Sequence, residues 1–174
     1  VTPSTMAAAA ALPPDVVVAG QQGSGQVVIF ASAESRAVRQ ASLPAAIHGV
    51  FDPSFVDAQH GWGMANVGAA AGSEGFDLYR TTDGGASWSR VASAGPYNTG
   101  PGQPPFFGDK SGIGFRDAAT GWLTGGSNTL GSTYLFRTDD GGQTWRAQPL
   151  ALPNGFVPEQ SQLWTLPPRF FGAR

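Results

Sequence analysis

Apolar residues come in short runs along this chain, each of strand length and none at sustained helical spacing. Val16-Val17-Val18-Ala19-Gly20, Val27-Val28-Ile29-Phe30, Ala37-Val38-Arg39, Leu78-Tyr79 and Leu135-Phe136 are separated by clusters of Gly, Asp, Ser and Asn. Those residues supply the positive φ angles and local side-chain hydrogen bonds of tight turns. Gly or Pro interrupts nearly every window long enough for a helix, and the chain holds only three Glu. The pattern predicts an all-β fold of many short strands.

The strands repeat. Phe55-Val56-Asp57-Ala58-Gln59-His60-Gly61-Trp62 leads through a Gly/Ala stretch to Leu78-Tyr79-Arg80-Thr81-Thr82-Asp83-Gly84-Gly85-Ala86-Ser87-Trp88. Phe115-Arg116-Asp117-Ala118-Ala119-Thr120-Gly121-Trp122 leads in the same way to Leu135-Phe136-Arg137-Thr138-Asp139-Asp140-Gly141-Gly142-Gln143-Thr144-Trp145. Trp122 follows Trp62 by 60 residues and Trp145 follows Trp88 by 57, so the loops are elastic and the unit is not. Each unit resolves into four strands: one ending near Phe55 or Phe115, one carrying Gly-Trp, one over 77–81 or 133–138, and one running on from Trp88 or Trp145. A serially repeated four-stranded antiparallel meander is a β-propeller blade. The units span about residues 15–43, 50–93 and 108–150, with a partial unit over 155–174. Closed propellers have about 4 to 8 blades, so the expectation is a propeller segment completed by further blades of the same gene or of another chain.

Composition narrows the function. Ten Lys+Arg against 12 Asp+Glu give a net charge of −2, and only 13% of residues are charged, about half the usual share. One Lys and nine Arg scattered singly make no basic stripe for nucleic acid. No run approaches the ~20 apolar residues of a membrane-spanning helix. With no Cys, neither disulfides nor thiolate metal sites hold the fold. Residues 1–14, with Ala7 to Ala11 and then Leu12-Pro13-Pro14, read as a linker or signal remnant, and the expected location is extracellular or periplasmic.

Thr81-x-Asp83-x-Gly85-x-Ser87-Trp88 and Thr138-x-Asp140-x-Gly142-x-Thr144-Trp145 carry a family resemblance. They resemble the Asp-box, or BNR repeat, of β-propellers, and the surrounding wording is most similar to propellers grouped with photosystem II stability and assembly factors. Sortilin-type receptors, sialidases and xyloglucanases share the box more distantly. The box also makes sense on its own chemistry. Asp83 or Asp140 can accept hydrogen bonds from the turn's amides, Ser87 or Thr144 can donate into the same cluster, and the glycines permit positive φ. Trp88 and Trp145 are expected to plug the seam to the neighbouring blade. Such carboxylates are structural, not catalytic or metal-binding.

In a four-stranded meander the 1–2 and 3–4 turns share one end, and the 2–3 loops and blade connections share the other. The boxes occupy the first end. At the second, long loops are expected over 67–76, 94–110, 125–132 and 151–159. Tyr97, Asn98, Phe106, Phe107 and Asn128 there are candidates for recognising peptide or sugar, the plainer reading being that Phe106 or Phe107 opens the next blade's core strand. His48 and His60 form no metal set, Asp57, His60 and Asp117 read as turn residues, and Arg80 and Arg137 recur at one blade position as a repeated structural contact. A sialidase-like site would need three converging arginines, a Tyr–Glu pair, an Asp acid and an Arg-Ile-Pro motif that does not occur; the unrepeated acids, Glu74 and Glu159 among them, offer no glycosidase pair. The expected function is therefore a non-enzymatic, cofactor-free module that binds a protein partner or acts in assembly through its long-loop face. The alternative is a carbohydrate-active Asp-box glycoside hydrolase whose catalytic residues lie partly outside this sequence.

Overall fold

A computed structural model describes residues 17–22, 26–31, 38–42, 51–98, 100–127, 132–155 and 163–171, those up to 51 as backbone only. The linker or signal remnant expected over 1–14 and the candidate Asn128 lie outside the described residues. Every element is a β-strand: β1 (Val17–Gln22), β2 (Gln26–Ala31), β3 (Val38–Ser42), β4 (Phe51–Phe55), β5 (Gly61–Ala70), β6 (Ser73–Thr81), β7 (Ser89–Ala94), β8 (Asp109–Phe115), β9 (Gly121–Gly126), β10 (Thr133–Thr138) and β11 (Arg146–Ala147). They form three antiparallel meanders in sequence order: β1-β2-β3, β4-β5-β6-β7 and β8-β9-β10-β11. The protein is all-β, and its two four-stranded sheets are propeller blades.

The blades meet face to face. Trp62, Phe76 and Leu78 of the second sheet and Ile113, Phe115, Leu123, Tyr134 and Trp145 of the third form one buried cluster. Its centre is Trp62, 0% exposed, whose indole stacks on Phe115 with 3.8 Å between centroids and 5° between planes. The Trp62 Nε1–H donates to the Gly141 carbonyl at 2.8 Å, so the same ring makes an apolar and a polar contact across the seam. Trp88 and Trp145 are buried as well. Trp88 meets the Phe55 ring at 5.9 Å and Trp145 the Phe115 ring at 6.3 Å, and Trp145 belongs to the cluster between the two sheets. The Gly-Trp tryptophan Trp62 is a seam residue too, its indole reaching both a ring and a carbonyl of the next blade.

The long loop expected over 67–76 is instead ladder. β5 and β6 pair as far as Ala70 and Ser73, with one register shift between Asn66 and Gly68. Ala71 at φ 49° and Gly72 at φ 75° close the hairpin, the two successive positive φ angles of a turn that matches strand twist. Alanine and glycine are weak strand formers. What holds them here is tertiary: Gly108 N–H donates to the Gly72 carbonyl at 3.1 Å and Glu74 N–H to the Gly108 carbonyl at 3.2 Å.

Candidate functional site

The two corners between the third and fourth strands of each blade have matching geometry. In the first, Thr81 Oγ1 donates to Asp83 Oδ1 (2.8 Å) and accepts from Gly85 N–H (2.8 Å), while Ser87 donates its amide to Oδ1 (2.9 Å) and its hydroxyl to Oδ2 (2.6 Å). In the second, Thr138 Oγ1 donates to Asp140 Oδ1 (2.8 Å) and accepts from Gly142 N–H (2.9 Å), and Thr144 donates amide (2.9 Å) and hydroxyl (2.6 Å) to Asp140. Gly85 at φ 86° and Gly142 at φ 94° hold backbone angles that a Cβ opposes. Gly84 N–H and Gly141 N–H reach the Gln59 and Ala119 carbonyls, tying each corner to its blade's 1–2 turn.

Both oxygens of each aspartate are thus occupied. Hydrogen bonds from the Ser87 hydroxyl and amide, then Thr81, pull the Asp83 carboxyl down to about 2. Partial burial pushes Asp140 up, but bonds from Thr144 and Thr138 outweigh it and hold the carboxyl below its ordinary value. A carboxylate held so firmly ionised is a poor base. The 1–2 turns use their acids alike: Asp57 Oδ1 accepts from the Gln59 and His60 amides, and Asp117 Oδ1 from those of Ala119 and Thr120. Arg80 lies over the Trp62 ring at 5.4 Å and Arg137 over Trp122 at 5.7 Å, each opposite its tryptophan across one strand pair.

The connection over 95–108, read from sequence as the main recognition loop, is largely fastened down. Its Gly102 carbonyl accepts the Trp145 amide at 2.8 Å, Pro104 is fully buried, and the Pro105 carbonyl accepts the Tyr134 hydroxyl at 3.0 Å. Lys110 completes the clasp. Its ammonium donates to the carbonyls of Phe106 (2.9 Å), Phe107 (2.9 Å) and Gly108 (2.7 Å) and sits 4.9 Å from the centre of the Tyr134 ring. Its amide donates to Glu74 Oε2 at 2.7 Å, tying the second blade to the third. Burial lowers the Lys110 ammonium to about 8 against the pull of Glu74 and Asp109, and burial, then Glu74, pushes the Tyr134 hydroxyl up.

The sequence candidates therefore separate. Tyr97 stands at a turn with its side chain 99% exposed. Asn98 spends its side-chain amide on the Ser93 carbonyl, which makes it a turn former in this fold. Phe106 contributes a carbonyl to the Lys110 clasp. Phe107 is 53% exposed and meets the Tyr134 and Phe136 rings edge-on at 5.6 and 6.2 Å. Neither phenylalanine opens the core strand, since β8 begins at Asp109 and its buried hydrophobic side chains are Ile113 and Phe115. Trp62, Tyr134 and Lys110 were missed as key residues. Trp62 had a signal in the repeat; Lys110 had only its standing as the single lysine.

Among the described residues no cluster of three His, Cys, Asp or Glu could hold a metal ion, and no helix is long and apolar enough to cross a membrane. No protein-family model matches the chain, and no curated protein matches it. Among solved structures, one of YCF48 bound to D1 peptide is similar over 70% of this chain and 33% of that one, at 19% sequence identity and a TM-score of 0.41. The chain thus spans about a third of the length of that neighbour.

Proposed function

We propose that this protein is a non-enzymatic β-propeller module that binds a polypeptide partner, with the two corners serving as structural Asp-boxes. The observation that carries the reading is where its exposed apolar side chains fall. Of the eight large apolar side chains exposed among the described residues, five sit at the loop end of the blades: Val67 near the end of β5, Tyr97 after β7, Phe107 before β8, Leu150 after β11 and Trp164 opposite Gly126 at the end of β9; the other three, Leu166, Phe170 and Phe171, follow Trp164 along one segment. Large apolar side chains gathered at one end of a weakly charged molecule suit a partner that buries aromatic anchors. At the opposite end the acids are spent on their own turns.

The test is capture of binding proteins from an extract of the source organism by the immobilised full chain, beside the Tyr97→Ser/Phe107→Ser double variant. A partner retained by the parent and lost by an equally stable variant supports the reading. Turnover of sialosides or β-glucans by the chain, lost on changing Glu74 or Glu159, would replace it with the glycosidase alternative.

A further inference from the structure

The two corners match bond for bond, but the arginines that lead into them do not have matching partners. Arg80 and Arg137 stand at the same register, opposite Ser89 and Arg146 of their fourth strands. In the third sheet Arg137 donates Nε–H and Nη2–H to Asp139 Oδ1 at 2.8 and 2.5 Å, and Arg146 Nη2 donates to Asp139 Oδ2 at 2.6 Å. A carboxylate therefore lies along the edge of that guanidinium, supplied from two residues further on. In the second sheet the position of Asp139 is held by Thr82 and that of Arg146 by Ser89, and both are exposed. Arg80 Nε is buried and has no acceptor among the described residues.

The surroundings hold Arg80 in place. Its guanidinium carbon lies 5.4 Å from the centre of the Trp62 ring, and Trp62 is fully buried. Its Nη1 is 3.0 Å from where a Cβ of Gly141 would stand. The indole and the next blade's corner thus keep the cation at the seam, with the side chain half-buried. A donor buried there without an acceptor is costly, and a carboxylate on the guanidinium offsets that cost through charge-assisted bonds.

We propose that the corner end of this seam is a carboxylate-binding site, where a ligand's carboxylate pairs with Arg80 as that of Asp139 pairs with Arg137, and the hydroxyls of Thr82 and Ser89 act as further donors. The planar fork of a guanidinium matches a carboxylate's two oxygens, and hydroxyls donate without adding charge. The exposed Thr82 and Ser89 mark the side from which the ligand approaches. One guanidinium balances one negative charge, and the Asp83 carboxylate, next after Thr82, disfavours a doubly charged phosphate. A small organic acid and an acidic side chain of a polypeptide present the same chemistry. The site lies at the end away from Tyr97 and Phe107, so it does not depend on the loop-end reading.

The experiment follows the arginine Nε–H resonances of the isotopically labelled full chain during titration with acetate at constant pH and ionic strength. The Arg80 resonance should move and saturate, while that of Arg137, already bonded to Asp139, should stay. Thr82→Asp, at an exposed position, places a carboxylate on Arg80 from within and should weaken acetate binding by roughly tenfold or more. Arg80→Gln should abolish it. A resonance that does not move, one that moves together with Arg137, equal binding by the Thr82→Asp chain, or tighter binding of phosphate than of acetate would each overturn the proposal. A parallel titration with a blocked tripeptide carrying aspartate, beside its asparagine counterpart, distinguishes the sources. Tighter binding of the aspartyl peptide than of acetate assigns the site to a polypeptide side chain, and equal binding assigns it to a small acid, each with the site confirmed. Failure of this titration with partner capture intact at Tyr97 and Phe107 would leave the loop-end reading standing.

Discussion

Trp62 and Phe115 lie flat on each other, 3.8 Å between centroids, although 53 residues separate them in the chain. The stack joins two independently paired sheets, and the indole N–H adds a bond to the Gly141 carbonyl. Trp62→Ala should cost about 3 to 5 kcal/mol, as large-to-small core changes do. Trp62→Phe keeps a ring but strands the carbonyl, at about 1 to 3 kcal/mol. Urea unfolding measures both, and near-neutral values would remove the seam from the account of stability.

The corner carboxylates set an acid limit. Asp83 titrates at about 2 in the folded chain against an ordinary 3.8. A depressed folded value means that the stabilisation is present above the unfolded value and is lost as pH falls through the folded one. Asp140 shifts in the same direction. Melting temperature should therefore drop between about pH 4 and pH 2, and Asp83→Asn should flatten part of that drop. An unchanged slope in the variant would show that the corner bonds do not favour the ionised form.

Gly121 is required by space. Its missing Cβ would sit 2.4 Å from the Phe115 ring, whereas a Cβ at Gly95 would meet nothing within 4 Å. Gly121→Ala should cost about 1 to 3 kcal/mol through overpacking, and Gly95→Ala should be close to neutral. Thermal melts of the pair make the comparison, and equal melts would contradict the packing of the first strand on the second.

Lys110 holds three consecutive carbonyls of the connection. Lys110→Met keeps most of the stem and removes those bonds. Amide hydrogen exchange over residues 100–108 should quicken in the variant while β9 and β10 keep their protection. Unchanged exchange in the connection would mean that Gly102, Pro104 and Pro105 suffice to hold it.

What could be read from sequence was what lies within a few residues along the chain. Asp83 binds Ser87 and Thr81, Asp117 binds Thr120, and Gly85 turns where its neighbours need positive φ; each relationship spans at most four positions, so its spacing survives as a motif. The repeat of those motifs was enough to predict strands, blade period and the end at which the corners lie. Tertiary packing decided the rest. Trp62 stacks on Phe115 across the seam, residues 67–76 pair as strand with their tip bonded to Gly108, and the connection expected as a long recognition loop is tied down by Trp145 and Tyr134. Those contacts join residues about 30 to 80 positions apart, or depend on a surface that two sheets make only once they are packed. No local pattern encodes them, because the free energy that selects them comes from burying both partners together.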